Sequence, residues 1–147
     1  MLIAVDFDNT IATNRYPLVG DLIPNAKEVI NMLSTKHMIM LWTVRGTEPL
    51  NEYGRSDVNG KTSSLKNAAV FCKDNGILID FYNSNPYHPS NSPKQLADLV
   101  IDDINLGCPT MQFKGKTVVD WYRVAEILMK DGYISEEQFK TLKKYEE

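Results

Sequence analysis

Apolar residues alternate along the chain between short continuous runs and stripes with helical spacing. The runs cover residues 2–5, 38–44, 77–82 and 99–101. Continuous apolar runs of this length are typical of strands that are buried on both faces of a parallel sheet. The stripes between them predict amphipathic helices that pack against a core. The repeated order of strand, helix and strand predicts an α/β fold with a mostly parallel sheet.

Three stripes define the predicted helices. The first begins after Pro24, which suits the first turn of a helix, and the second ends before Gly76, a residue that favours helix C-termini. Residues 117–147 are predicted to hold the C-terminal helices, the last of which opens at Ser135 and Gln138 with the pattern of a capping box. The apolar positions of the stripes are Ala26, Val29, Ile30 and Leu33; Leu65, Ala68, Ala69 and Cys72; and Val118, Trp121, Tyr122, Ala125, Leu128 and Met129.

Composition narrows the class of protein. The 147 residues suit one compact domain, 1–147, with 43% hydrophobic and 24% charged residues. The net charge of −3 predicts no strong general affinity for nucleic acid or for anionic membranes. No apolar run approaches the ~20 residues that span a bilayer, and Asp6 interrupts the first run, so we expect a cytoplasmic protein. Cys72 and Cys108 have no nearby His pair, which disfavours a zinc site or a disulfide scaffold.

Acidic residues stand at the carboxyl ends of the first and last predicted strands. Asp6 and Asp8 follow the first strand, and Asp102 and Asp103 follow the last. Ligands of open parallel sheets bind beyond this edge, where Thr43 is also placed. Four clustered carboxylates would repel one another without a cation, and oxygen ligands without His or thiolate suit Mg²⁺. Because Mg²⁺ takes only one or two carboxylates, the others are free to act as a nucleophile and a proton carrier.

These residues also resemble the motifs of a known superfamily. The run Asp6-Phe7-Asp8-Asn9-Thr10 resembles the first motif of the haloacid dehalogenase superfamily, DxDx followed by Thr or Val. Thr43 is similar to the second motif, Lys94 to the third, and Ile101-Asp102-Asp103 to the paired-acid form of the fourth. The motifs follow the family order over residues 6–103. The resemblance implies a three-layer, Rossmann-like parallel sheet with helices on both faces, and Mg²⁺ as the cofactor.

The resemblance implies a role for each acid. Asp6 would be the nucleophile and a metal ligand, and Asp8 would be the general acid and base, with its backbone carbonyl on the metal. Asp102 would complete the metal site. Asp103 would contact the metal through water or orient Lys94. Branches of the superfamily that displace halide or cleave phosphonates lack an acid at the position of Asp8, so phosphatase or phosphotransferase chemistry is favoured.

Other residues of the motifs are expected to contact the substrate. The resemblance implies that Thr43 binds the phosphoryl oxygens and that Lys94 neutralises both the nucleophile and the phosphate. Asn9 and Thr10 are candidate substrate contacts, and Asn9 replaces a glycine of many members with a residue that tolerates left-handed backbone angles. Arg45 could touch a phosphate or a base, and a solvated Arg at a strand end is the alternative.

The chain has little room for the cap domain that usually selects the substrate in this superfamily. Only 32 residues separate Thr10 from Thr43, and 50 separate Thr43 from Lys94, and each interval must hold a helix and a strand. Residues 46–64, rich in Gly, Asn, Ser, Thr and charge, are predicted as a long surface loop or small flap. We therefore expect no sizeable cap domain. An open site would accept bulky phosphoesters or borrow a lid from another subunit, which leaves a homo-oligomer open.

The function predicted from these residues is a magnesium-dependent phosphoester hydrolase that works through an aspartyl-phosphate. Its substrate would be a nucleotide, a nucleic-acid end or another small phosphoester. One alternative is a catalytically degenerate relative that binds a phosphorylated ligand or a partner protein. A second is a receiver-like phosphorylation module, but a receiver carries its phosphoacceptor after the third strand, whereas the second acid pair here comes last.

Overall fold

Strands and helices alternate along the chain, with three antiparallel strand pairs added to the predicted elements. The computed structural model describes residues 1–50 and 62–146, apart from the side chain of Leu50. The helices are α1 (Ala26–Ser34), α2 (Ser64–Asp74), α3 (Trp121–Lys130) and α4 (Glu136–Lys140). The strands are β1 (Leu2–Val5), β2 (Ala12–Arg15), β3 (Leu18–Leu22), β4 (Met38–Leu41), β5 (Pro49–Leu50), β6 (Thr62–Ser63), β7 (Phe81–Tyr82), β8 (Leu99–Ile101), β9 (Thr110–Phe113) and β10 (Lys116–Val119).

A four-stranded parallel sheet in the order β7-β4-β1-β8 organises the fold. Val5 of β1 is level with Leu41 of β4 on one side and with Ile101 of β8 on the other. The chain places β4 and β7 on one side of β1 and then crosses to add β8 on the other side. This change of direction makes the gap between β1 and β8 a topological switch point, where ligands of open α/β sheets bind. The predicted α/β fold with a parallel sheet is confirmed.

The two faces of the sheet pack against different parts of the chain. Ile3 and Val5 face the larger core, which contains the buried apolar side chains of α1, α2 and α3. Leu2 and Ala4 face a smaller core with Met40. The smaller core is covered by Trp42, Phe81, Ala97 and Val100. The predicted layering with helices on both faces is therefore not confirmed, because the described helices contribute no buried side chain to this second face.

Helix α1 shows how the predicted stripes become the core. Its four apolar positions are fully buried, and burying each such side chain contributes roughly 1.5–3 kcal/mol. Two predicted end signals are also confirmed. Gly76 follows α2 with φ of 70°, and Ser135 and Gln138 form the capping box of α4. Among the described residues, no helix is long and apolar enough to cross a membrane.

Three predicted element boundaries differ from the structure. The strand predicted over 38–44 ends at Leu41. The N–H of Trp42 still donates to the carbonyl of Val5, but that of Thr43 turns to the Oδ1 of Asn83. The strand predicted over 77–82 is reduced to Phe81–Tyr82. The helical region predicted over 117–147 begins late, since Val118 pairs with Met111 in a hairpin and α3 begins only at Trp121.

The predicted loop or flap at residues 46–64 is described at its two ends only. The strands β5 and β6 pair there as a short antiparallel ribbon, and α2 begins at Ser64. Residues 51–61, which hold most of the predicted flap, lie outside the described residues. Two hairpins, β2–β3 and β9–β10, were not predicted. Their strands are four or five residues long and do not follow a strict alternation of buried and exposed positions.

Candidate active site

The structure brings together three of the four predicted acids. One carboxylate oxygen each of Asp6, Asp102 and Asp103 lies within 4.8 Å of the others. The ladder extends one residue beyond β1, where the N–H of Asp6 donates to the carbonyl of Ile101 over 3.0 Å. Residues at the same level of neighbouring strands share a face of the sheet, so Asp6 and Asp102 project to the same side. The acid cluster lies at the switch point between β1 and β8.

Thr10 connects the acid cluster to the turn that follows β1. Its hydroxyl donates to Asp6 Oδ2 over 2.9 Å and accepts the N–H of Asp103 over 3.2 Å. The indole Nε1 of Trp121 donates to the carbonyl of Thr10 over 2.6 Å. Thr10 is predicted to contact the substrate, but its exposure is 0%. The prediction of a substrate contact is therefore wrong. Thr10 is fully buried and orients Asp6 through its hydrogen bond.

Burial and mutual repulsion raise the pKa values of two acids in the cluster. Burial, and then the charge of Asp102, raises the pKa of Asp6 from 3.8 to about 8, although Thr10 opposes the shift. Burial, and then a hydrogen bond and the charge of Asp102, also raises the pKa of Asp103. Raised carboxyl pKa values mean that the site favours a bound positive charge, either a proton or a cation.

Asp8 lies outside the acid cluster, because its side chain pairs with Arg45. The guanidinium donates from Nε to Oδ2 over 2.9 Å and from its terminal Nη2 to Oδ1 over 2.8 Å. The Arg45 side chain is 0% exposed, and the Asp8 side chain is 16% exposed. Bidentate pairs of this kind are short and directional. Each oxygen of Asp8 therefore accepts a hydrogen bond from Arg45, which no sequence pattern indicated.

Arg45 uses all of its donors inside the protein. Its remaining N–H groups donate to the carbonyls of Pro17, Leu18 and Ser64, so five hydrogen bonds leave the guanidinium once the Asp8 pair is included. A guanidinium has five N–H donors, and none remains for a substrate. The predicted substrate contact and the solvated alternative are both wrong for Arg45. It joins the turn after β1, the β2–β3 hairpin and the start of α2.

The backbone and side chain of Asp8 have different surroundings. Within the described part of the chain, no backbone N–H donates to the Asp8 carbonyl, because the adjoining turn uses Phe7 O and Asn9 N instead. This oxygen is available as a ligand, as the predicted metal site requires. Asn9 itself adopts φ of 59° and accepts the N–H of Asn14 through Oδ1 over 3.0 Å. Its side chain shapes the turn in the way that Asn permits in left-handed positions.

Thr43 is held beside the edge of the sheet by two partners. Its N–H donates to Asn83 Oδ1 over 2.8 Å, and its Oγ1 accepts the N–H of Arg45 over 3.1 Å. The hydroxyl proton of Thr43 is donated to no acceptor in the part of the chain that the structure describes, so it is free for a ligand. Asn83 was not predicted. The one signal in the sequence is an Asn directly after the predicted third strand, a position where Asn often forms left-handed turns, as the φ of 53° shows here.

Lys94 is exposed and lies on the face of the sheet that carries the smaller core. It lines a cavity together with Trp42 and Val100. None of the ion pairs among residues 1–50 and 62–146 includes Lys94, so its predicted contact with Asp6 is not formed here. Its ammonium group is free to meet a ligand that enters the cavity.

A comparison with solved structures connects the chain to a conserved protein from Bacteroides thetaiotaomicron. The two are 34% identical, the match covers 89% of this chain and 91% of that chain, and the TM-score is 0.65. The chain belongs to the family of that conserved protein. No family model matches the sequence, and no curated protein matches it. The match establishes a shared fold over most of the chain and identifies no chemistry.

Proposed function

We propose that the protein is a magnesium-dependent phosphoester hydrolase of the haloacid dehalogenase type, in which Asp6 attacks phosphorus. The observation that carries this proposal is the meeting of Asp6, Asp102 and Asp103 within 4.8 Å at the switch point of a parallel sheet. Acids from two distant stretches of the chain converge there in the order and spacing that the four motifs imply.

The acid cluster fits Mg²⁺ by its donor chemistry. All of its ligand atoms are oxygens, which Mg²⁺ prefers, and burial, followed by interaction with Asp102, raises the pKa values of Asp6 and Asp103, so the cluster favours a bound cation. Asp6, Asp102 and Asp103 would hold the ion, and the free carbonyl of Asp8 offers a further ligand. A bound Mg²⁺ would neutralise the cluster and polarise a phosphoryl oxygen.

The proposed reaction has two displacements at phosphorus. In the first, a carboxylate oxygen of Asp6 forms a bond to phosphorus while the ester P–O bond breaks and the leaving oxygen takes a proton. In the second, water attacks the aspartyl-phosphate, gives up a proton, and releases inorganic phosphate with the Asp6 carboxylate restored. Thr10 supports both steps because its hydrogen bond fixes the orientation of the attacking carboxylate.

Asp8 remains the proposed proton carrier, although its carboxylate is paired with Arg45. Each of its oxygens accepts one hydrogen bond from Arg45 and keeps a second lone pair, but a proton on either oxygen would weaken this charge-assisted pair, so the pair must loosen as Asp8 takes up a proton. Thr43 and Lys94 are the proposed phosphoryl contacts. Thr43 supplies a free hydroxyl proton, and Lys94 supplies a free ammonium group, to a group that spreads negative charge over three oxygens.

The test is phosphate release from nucleoside monophosphates, phosphorylated oligonucleotide ends and sugar phosphates, with Mg²⁺ and with a chelator. We expect magnesium-dependent release by the wild type and none by Asp6→Asn. Asp74→Asn, the same change at an exposed position of α2, is the matched control and should keep wild-type activity. Release by Asp6→Asn at the wild-type rate would overturn the assignment of the nucleophile.

The Arg45–Asp8 pair favours one alternative, a degenerate protein of the same type that binds a phosphorylated ligand without turnover. An acid that stays paired with a buried guanidinium is a poor proton carrier, because each protonation would disrupt the charge-assisted pair. Under this alternative, the whole panel would yield no phosphate, whereas inorganic phosphate with Mg²⁺ would still raise the melting temperature of the protein.

A further inference from the structure

A cavity of about 400 Å³ opens on the face of the sheet that carries the smaller core. Ligand pockets for small molecules begin at roughly 300 Å³, so the volume suits one small organic group. Its lining includes Trp42, Lys94, Ala97 and Val100. None of them is needed for the acid cluster itself.

The cavity is next to the acid cluster. The N–H of Trp42 donates to the carbonyl of Val5 over 2.9 Å, which places Trp42 level with Asp6 on the neighbouring strand. Leu2, Ala4 and Met40 pack together on one face, and the alternation of side chains puts Asp6 and Trp42 on that same face. Neighbouring strands lie roughly 4.8 Å apart. A group bonded to a phosphate at Asp6 can therefore reach Trp42 directly.

The lining of the cavity combines aromatic, apolar and cationic groups. Trp42 is half-buried against the smaller core, and Ala97 and Val100 contribute apolar surface beside it. The indole Nε1 of Trp42 donates to no acceptor within residues 1–50 and 62–146, so this N–H is free for a ligand. Lys94 places a free ammonium group in the same lining. Planar rings stack on indole, and a cation at the edge attracts a phosphorylated ligand.

We propose that this cavity is the leaving-group subsite of the site described above and takes the base of a nucleoside monophosphate, stacked on Trp42. The inference rests on the proposed function for the position of the phosphate. A sugar phosphate would place hydroxyl groups against Trp42, Ala97 and Val100, which costs free energy where those hydroxyls find no partner. The volume accommodates one nucleoside, and Lys94 lies in the same lining to meet its phosphate.

Two substrates that differ only in the base provide the test. Adenosine 5′-monophosphate and ribose 5-phosphate carry the same phosphate on the same sugar. Stacking of a base on an aromatic side chain is worth about 5- to 150-fold in binding. We expect Trp42→Ala to lower kcat/KM for the nucleotide by that factor while changing it less than about threefold for ribose 5-phosphate, and Trp42→Phe to keep most of the preference.

A matched control tests whether the loss of the nucleotide preference is specific to Trp42. Tyr87→Ala removes an aromatic side chain from the same face but at the other end of the sheet, where Tyr87 lines a different cavity with Met1 and Met38. This variant should keep the wild-type preference for the nucleotide. An equal loss for both substrates in Trp42→Ala, or no loss at all, would overturn the subsite.

A binding measurement separates the subsite from the proposed reaction. The chain has two tryptophans, Trp42 and Trp121, and Trp121 is fully buried. Adenosine should quench the intrinsic fluorescence of the wild type saturably and should leave that of Trp42→Phe unchanged. Quenching without phosphate release would support the subsite and count against the phosphatase. Phosphate release without quenching and without a preference for the base would overturn the subsite and leave the phosphatase standing.

Discussion

Arg45 binds both carboxylate oxygens of Asp8, at 2.9 and 2.8 Å, and is itself almost completely buried. The pair lies between the turn after β1 and the start of α2, and the same guanidinium also binds two carbonyls of the β2–β3 hairpin turn. A proposed proton carrier is thus part of a structural brace. Asp8 of the brace and Asp6 of the acid cluster are only two residues apart in the chain, so a change in either can affect both stability and activity.

The pair predicts a strong energetic coupling between Asp8 and Arg45 in the stability of the fold. Asp8→Asn and Arg45→Met should each lower the free energy of unfolding by about 3–5 kcal/mol, because each leaves a buried polar or charged group without its partner. The double variant should lose clearly less than the sum of the two, since no uncompensated charge remains. Urea unfolding of the four proteins measures the coupling. Additive losses would mean that the two side chains do not depend on one another.

Asp8 also has a predicted effect on turnover that differs from its effect on stability. If the pair opens during the reaction, Asp8→Asn should lower kcat by roughly two to four orders of magnitude while magnesium binding persists, because the ion would use the backbone carbonyl. The assay is run well below the melting temperature of the variant. A loss of less than tenfold would assign Asp8 to the brace alone.

The parts of the fold that follow from hydrophobic periodicity were predictable, and the parts that follow from tertiary contacts were not. Leu99–Ile101 is a strand with the predicted bounds, because a continuous apolar run has few alternatives beside a buried sheet. The short hairpins carry no such signal. The meeting of Asp6 with Asp102 followed from the rule that ligands gather at the carboxyl edge of the sheet. Nothing in the spacing of Asp8 and Arg45 indicates that they pair, since 37 positions separate them.

The raised pKa of Asp6 predicts how stability depends on pH without divalent cations. The unfolded carboxyl titrates near 3.8 and the folded one at about 8, so the folded state binds more protons between these values. The contribution of Asp6 is fully present below pH 3.8 and is lost as the pH rises through about 8. Asp6→Asn removes this loss. In chelator at pH 8–9, its melting temperature should exceed that of the wild type by at least about 2 °C, with a smaller gap at pH 5.

Bound Mg²⁺ should offset the repulsion between the carboxylates of the acid cluster and so stabilise the folded state. At ten times its dissociation constant, a ligand that binds only the folded state stabilises it by about 1.4 kcal/mol, and the wild type should show a matching rise in melting temperature. Asp102→Asn removes one ligand and the largest single charge acting on Asp6, so its titration should require much more Mg²⁺. Asp74→Asn serves as the exposed control. Identical titrations for wild type and Asp102→Asn would remove Asp102 from the metal site.

Variants of Thr10 separate the effect of its hydroxyl group on the orientation of Asp6 from the contribution of its side chain to packing. Thr10→Val keeps the shape of the side chain but removes the hydroxyl that donates to Asp6 and accepts from the N–H of Asp103. We expect a loss of about 1–3 kcal/mol in stability, because a buried N–H is left unsatisfied, and a fall in kcat with little change in KM. Thr10→Ser restores the hydroxyl without the methyl group and should recover most of kcat. If Thr10→Val keeps the wild-type kcat, the hydrogen bond from Thr10 does not orient the nucleophile.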